Sequence, residues 1–315
     1  MTLVLAMVGL TLVLPWGGAA AGRGLAAFLP PREACAVLTS AAVLLAGGTV
    51  AALVGLFHVP FLASLERVPL PRSAAEWPAA LPIAAAAGVV LVTQAVLVGR
   101  RWYERRSILA GARASAGDPD SDSDLLVVPD ADPQAFALPG RRGQRGRVVV
   151  TTGMIRALEP DERDVLFSHE RAHLAGRHHV LSVSVHLAAA VHPALRSLLP
   201  ALDYHLERWA DESAAASVGD RKLAATAIAR AALAAASSGR TDTARGPLLS
   251  VGTGPVPQRV GALLGPVPSR PRGAGPRAAA AGLLAAVVVP ALLGLVLPYG
   301  LHEYVESTAR ALLAR

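Results

Sequence analysis

One cysteine, Cys35, stands among 315 residues, so no disulfide within the chain can staple the fold. One lysine, Lys222, and 4% aromatic residues accompany a net charge of +7. A basic balance can signal nucleic acid, but that reading needs a basic stripe with interleaved aromatics. None is present, so no direct nucleic-acid binding is expected. Gly140-Arg141-Arg142-Gly143-Gln144-Arg145-Gly146 is basic and glycine-rich, yet lacks the lysine and serine of a phosphate-binding loop. The aspartates from 118 to 124 lack the central glycine and terminal glutamate of a calcium loop, and read as solvated. No nucleophile elbow frames a serine, which discounts Ser-His-Asp catalysis. No internal repeat is visible.

Apolar sequence is what the chain has in excess, at 53%. It is gathered into four blocks, about 3–20, 34–57, 79–98 and 278–297, none with a charged residue. Each is long enough to cross about 30 Å of hydrocarbon as a helix. The first reads as a retained anchor, since no basic stretch precedes it and Gly22-Arg23-Gly24 follows as a cytoplasmic-type flank. Orientation follows the arginines. Arg100, Arg101, Arg105 and Arg106 follow the third block, and Arg270, Arg272 and Arg277 precede the fourth. The segment between them is therefore expected in the cytoplasm, as is the loop with Arg23 and Arg32. The balanced loop with Glu66, Arg67, Arg72 and Glu76 fits the outside. The domains expected are three spans over 1–99, a cytoplasmic domain over 100–277, a fourth span over 278–297 and an external tail over 298–315.

The cytoplasmic segment carries His169-Glu170-Arg171-Ala172-His173, of the form H-E-x-x-H. Positions four apart share a helix face, so both imidazoles point one way and can hold one zinc ion. Glu170 is then placed to act as a general base toward water. Glu159-Pro160-Asp161-Glu162 has the proline and acidic residues of a helix start. Downstream, Glu207-Arg208-Trp209-Ala210-Asp211 offers a third ligand, Glu207. Asp211 lies one turn later on the same face, where a carboxylate can accept the free ring N–H of a zinc histidine.

Around this motif, 125–128, 135–138 and 147–151 read as short strands of a small antiparallel sheet, whose edge can hold an extended peptide. The stretch 180–191 reads as a buried or membrane-surface helix rather than a span. An alanine-rich helical region is expected over 211–236, and 237–277 is a loose return within which 258–264 forms a short docked helix. His178 and His179 could bind metal or stabilise an oxyanion but are expected at a surface or interface, and His186 and His192 as core histidines. Tyr204 and His205 are minor candidates for stabilising a tetrahedral intermediate.

The run Arg147 to Ile155, then Leu158 to Arg163, the H-E-x-x-H motif, and Glu207 with Asp211 resemble the BlaR/MecR-type membrane zinc metallopeptidases. Ala135-Phe136-Ala137 and the order of three spans, zinc domain and fourth span fit them too. A more distant similarity joins the HtpX-like membrane proteases. The resemblance implies a mainly α, multi-pass membrane protein with four transmembrane helices and a cytoplasmic α+β zincin domain, a small β-sheet plus zinc-binding helices. It implies zinc on His169, His173 and Glu207, with Glu170 catalytic and Asp211 behind the ligands. Its setting is a bacterial plasma membrane with the active site facing the cytoplasm. The partners implied are the lipid bilayer and a protein substrate, with a winged-helix repressor as the family's usual target. Antibiotic-sensing relatives carry a penicillin-binding domain after the fourth span. Residues 298–315 are too few for one, so signalling by proteolysis is expected with the stimulus open. Two alternatives are an HtpX-like quality-control protease and a zinc-dependent scaffold that cuts nothing.

Overall fold

A computed structural model describes residues 2–65, 80–115, 123–140, 144–237 and 255–269, and parts of the chain from 277 to 303. The loop holding Glu66, Arg67, Arg72 and Glu76, the aspartates up to 122, residues 238–254 and most of the tail lie outside the described residues.

Three long helices come first: α1 (Thr2–Ala26), α2 (Pro31–Leu65) and α3 (Ala80–Ser115). Among the described residues, Pro31–His58 and Leu81–Ala114 are long and apolar enough to cross a membrane. They point to membrane association. The first block is helical within α1. Of the fourth, the apolar helix Ala280–Val289 is described.

The third helix does not stop at its arginines. At 36 residues it runs about 54 Å, well beyond a hydrocarbon core of about 30 Å. Its far end is amphipathic enough to dock: Ile108, Leu109 and Ala112 pack against Phe136, Leu138 and Val149 of the sheet. Arg113 Nη2 donates to the Pro139 carbonyl at 3.0 Å. A single rigid element thus joins the apolar bundle to the domain bearing the motif.

That domain opens with β1 (Leu125–Val128), β2 (Ala135–Leu138) and β3 (Arg147–Thr151), in sheet order β1-β3-β2. The expectation of a purely antiparallel sheet is corrected. β2 pairs antiparallel with β3, Phe136 opposite Val149, but β1 runs parallel to it, Leu126 opposite Val149. The physical reason is the connection. The chain crosses from β1 to the far edge, and β3 returns between the two earlier strands. Thr151 then starts α4 (Thr152–Ala157), its hydroxyl accepting from the Met154 N–H.

Next come α5 (Pro160–Ala175), α6 (His178–Val191), a 3-10 turn (Pro193–Leu198), α7 (Leu199–Val218), α8 (Arg221–Ser237) and α9 (Val256–Leu264). Proline at its first position and a capping box open α5, with the Glu159 N–H donating to Glu162 Oε2 at 2.9 Å. Its apolar side packs two ways, Val165 against the alanines of α7 and α8, and Leu166 against Val150 and Met154.

Of the two expectations for 180–191, burial is the one found. Val185, Ala188 and Ala189 of α6, with Leu195, Leu198, Leu202 and Leu206, form one cluster with Leu38, Ala42 and Leu45 of α2. The amide of Gln94, on α3, donates to the Val191 carbonyl at 2.9 Å, satisfying a helix end away from water. The motif helix and α7 are therefore bridged by a helix seated among the long apolar ones.

Candidate metal centre

Helix α5 presents His169 and His173 one turn apart, and α7 brings Glu207 across to them. The two Nε2 atoms lie 3.1 Å apart, with Glu207 Oε2 3.6 Å from His169 Nε2 and Oε1 3.5 Å from His173 Nε2. In a tetrahedral zinc site, bonds of 2.0–2.2 Å place neighbouring ligand atoms roughly 3.3–3.5 Å apart. The observed separations bracket that spacing. Two imidazoles and a carboxylate are also the donor set of hydrolytic zinc. The three could hold a metal ion, and among the described residues they are the one such group.

The spacing could have indicated another third ligand. Gly176 and His179 extend the motif to H-E-x-x-H-x-x-G-x-x-H, in which the last histidine completes the metal set in some zinc proteases. His179 instead lies in the first turn of α6 beside the positive charges of Arg113 and Arg177, and burial together with them lowers its pKa. It does not join the group.

Glu170 is buried at 2% exposure, and its Oε1 has no hydrogen-bond partner among the described residues. Burial pushes its pKa up to about 7, against the pull of the His169 and Arg259 charges. The Ala137 backbone of β2 hydrogen-bonds to its carboxylate. A carboxyl group poised near neutrality, free on one oxygen and set beside the ligands, has the chemistry of a general base.

Asp211 is where its spacing from Glu207 placed it. Its Oδ1 lies 3.1 Å from His169 Nδ1, so a neutral His169 would keep its proton there and offer Nε2 to a metal. Sequence reasoning missed what lies behind it. Arg259, from α9, is 1% exposed and grips Asp211 through two contacts, Nε to Oδ2 at 2.8 Å and Nη2 to Oδ1 at 2.6 Å. Its Nη1 reaches Glu207 Oε2 at 2.8 Å. The docked helix was foreseen, but not that its one arginine is the cation of the site. The available signal was a charged residue on the short apolar segment 256–264.

Charge and burial compete throughout. For His169, burial opposes a proton, but Asp211 and Glu207 outweigh it and lift its pKa to about 10. For His173, burial wins and lowers it to about 4. Glu207 is held ionised despite burial, chiefly by Arg259 and His169. Asp211 is likewise held low by Arg259 and His169 against burial.

The remaining expectations divide. His178 is not at a surface: it is 3% exposed, its Nδ1 2.8 Å from His173 Nδ1. His192 is buried, as a core histidine should be, and its Nδ1 accepts from the Ala194 N–H. Tyr204 and His205 line a separate cavity of about 710 Å³ with Arg23 and Arg208, which none of the metal group lines. Asp124 is not merely solvated, since Arg171 of the motif donates to it at 2.7 Å.

Residues 101–240 match the sequence model of peptidase family M48. The matched segment holds His169, Glu170, His173, Glu207 and Asp211, and it ends before Arg259. The match supports a metallopeptidase, a hydrolase of peptide bonds, and zinc is the metal typical of that family. It does not reach the finer BlaR/MecR-type assignment. No solved structure matches the chain.

Proposed function

We propose that the chain is a membrane-anchored zinc endopeptidase of BlaR/MecR type. In this reading residues 1–99 and 278–297 anchor it through four spans, and the domain over 100–277 cuts a cytoplasmic protein in regulatory signalling. The observation that carries the proposal is the convergence of His169, His173 and Glu207 at zinc-ligand spacing, with the buried Glu170 carboxylate beside them. A scaffold needs ligands but no general base. The intact, buried Glu170 favours hydrolysis.

Zinc held by His169, His173 and Glu207 would polarise a peptide carbonyl and acidify water. Glu170 takes the proton of the attacking water. It then delivers that proton to the leaving amine, so the base of the first step is the acid of the second. Asp211 keeps the His169 proton on Nδ1. Arg259 compensates the two buried carboxylates, which would otherwise repel each other. The substrate is read as an extended segment laid along β2, an edge of the described sheet whose Ala137 backbone adjoins Glu170.

The test is Glu170→Gln in detergent-purified protein. Zinc content should stay near one ion per chain, while cleavage of a protein substrate falls on the order of 100- to 10,000-fold. Glu207→Ala should lose most of the zinc. Full biological output from Glu170→Gln, alongside failure of His169→Ala, would mean that zinc matters and hydrolysis does not, leaving the scaffold.

A further inference from the structure

We propose that His178 is a positioning residue that fixes the ring and tautomer of His173, so that the His173 Nε2 lone pair faces Glu207. The proposal rests on the zinc endopeptidase reading above.

A neutral imidazole carries one N–H and one bare nitrogen. His173 Nε2 points at the ligand group, 3.1 Å from His169 Nε2 and 3.5 Å from Glu207 Oε1. To act as a ligand it must be bare, so the His173 proton belongs on Nδ1. The atom that can accept it is His178 Nδ1, 2.8 Å away. His178 then keeps its own proton on Nε2.

Three features of the chain put the His178 ring there. Arg177 adopts a left-handed conformation, φ 49°, which L side chains take up rarely, and this turn brings α6 back against the end of α5. Gly176 has φ −76°, so its backbone needs no glycine. What it needs is the missing Cβ, because a methyl group there would collide with the His178 ring. On the other side the Trp209 ring lies 4.5 Å from the His178 ring, and the Arg32 guanidinium sits 5.7 Å over Trp209. Trp209 is two residues beyond Glu207 on α7. One helix therefore supplies both the third ligand and the wall behind the second ligand's partner. His169 is held by a carboxylate, whereas His173 is held by a neutral acceptor.

The experiment compares His178→Phe and His178→Asn with the full-length wild type in detergent. Phenylalanine keeps an aromatic ring against Trp209 but accepts nothing; asparagine restores an acceptor near the Nδ1 position. Zinc affinity is read by chelator competition, and ligand geometry by the visible spectrum of the cobalt-substituted protein. Thermal unfolding of the metal-free chains reports the fold. His178→Phe should bind zinc on the order of 10- to 100-fold more weakly, with a shifted cobalt spectrum. His178→Asn should recover most of the affinity and the wild-type spectrum. Wild-type affinity and spectrum in His178→Phe would overturn the proposal. So would equal losses in both variants, which would make the ring mere packing. A wild type that binds neither metal would overturn the endopeptidase reading itself, a result distinct from either of these.

Discussion

The two sides of the metal centre are built from opposite materials. Behind His169 and Glu207 lie Asp211 and Arg259, ions whose side chains are almost fully buried and joined by paired contacts. Behind His173 lie His178 and Trp209, one ring tilted against another with no ion between them. The contrast teaches how one helix can present two chemically identical side chains with different proton affinities. Asp211 and Glu207 lift His169 to about 10, whereas burial, with the His169 and Arg259 charges, brings His173 down to about 4. The metal-free site can thus hold one proton where the metal's charge would go, without a second cation crowding Arg259.

Removing the cation should break this contrast most severely. Arg259→Ala strands two carboxylates in a buried site, and losing one partner of such a group costs about 3–5 kcal/mol. Thermal unfolding of the metal-free variant should fall accordingly, and added zinc should restore part of the loss by supplying positive charge. A metal-free variant as stable as wild type would remove Arg259 from any structural role.

Asp211→Asn should weaken zinc binding on the order of 10- to 100-fold, because the amide orients His169 less firmly and lowers its basicity. The charged side should be the costlier to disturb, so the loss should equal or exceed that of His178→Phe. The reverse ranking, in one chelator titration of both variants, would invert the comparison.

The two histidines should also separate by pH. Zinc binds neutral imidazole, and metal-free His169 stays protonated below about 10. Affinity should therefore rise with pH, roughly tenfold per unit through the neutral range, as one proton is displaced. His173, already neutral above about 4, adds nothing to that slope. A slope of two protons would put a charge on both sides; a flat profile would put it on neither.

The smallest effect belongs to the rim. Arg171, inside the motif, pairs with Asp124, and both are about half exposed. Asp124→Asn should change stability by no more than about 0.5 kcal/mol, because solvent screens the pair. A larger shift would mean that the β1 end of the domain helps to hold the motif helix.

Much of this was legible in the residues themselves. Apolar, β-branched runs bounded by proline and glycine marked the three strands at the limits observed. The proline and acidic residues before the motif marked the start of α5. Glu207 and Asp211, one turn apart, announced two carboxylates on one face, and both lie against His169. The strand direction of β1 was not legible, because pairing depends on which edge the chain crosses to. Nor was the length of α3, since its arginines end an apolar block without breaking a helix.

Sequence alone determined which residues share a face, because the helical repeat is local: His169 with His173, and Glu207 with Asp211. Only the tertiary structure decided what stands behind each. Arg259 reaches Asp211 from far along the chain, because α9 docks by Leu263 onto the cluster shared by α5, α7 and α8. His178 reaches His173 because one left-handed residue and one missing Cβ fold α6 back onto the motif helix. Helical periodicity carries no information about either contact. Each depends on a turn and a packed cluster formed only when distant segments meet.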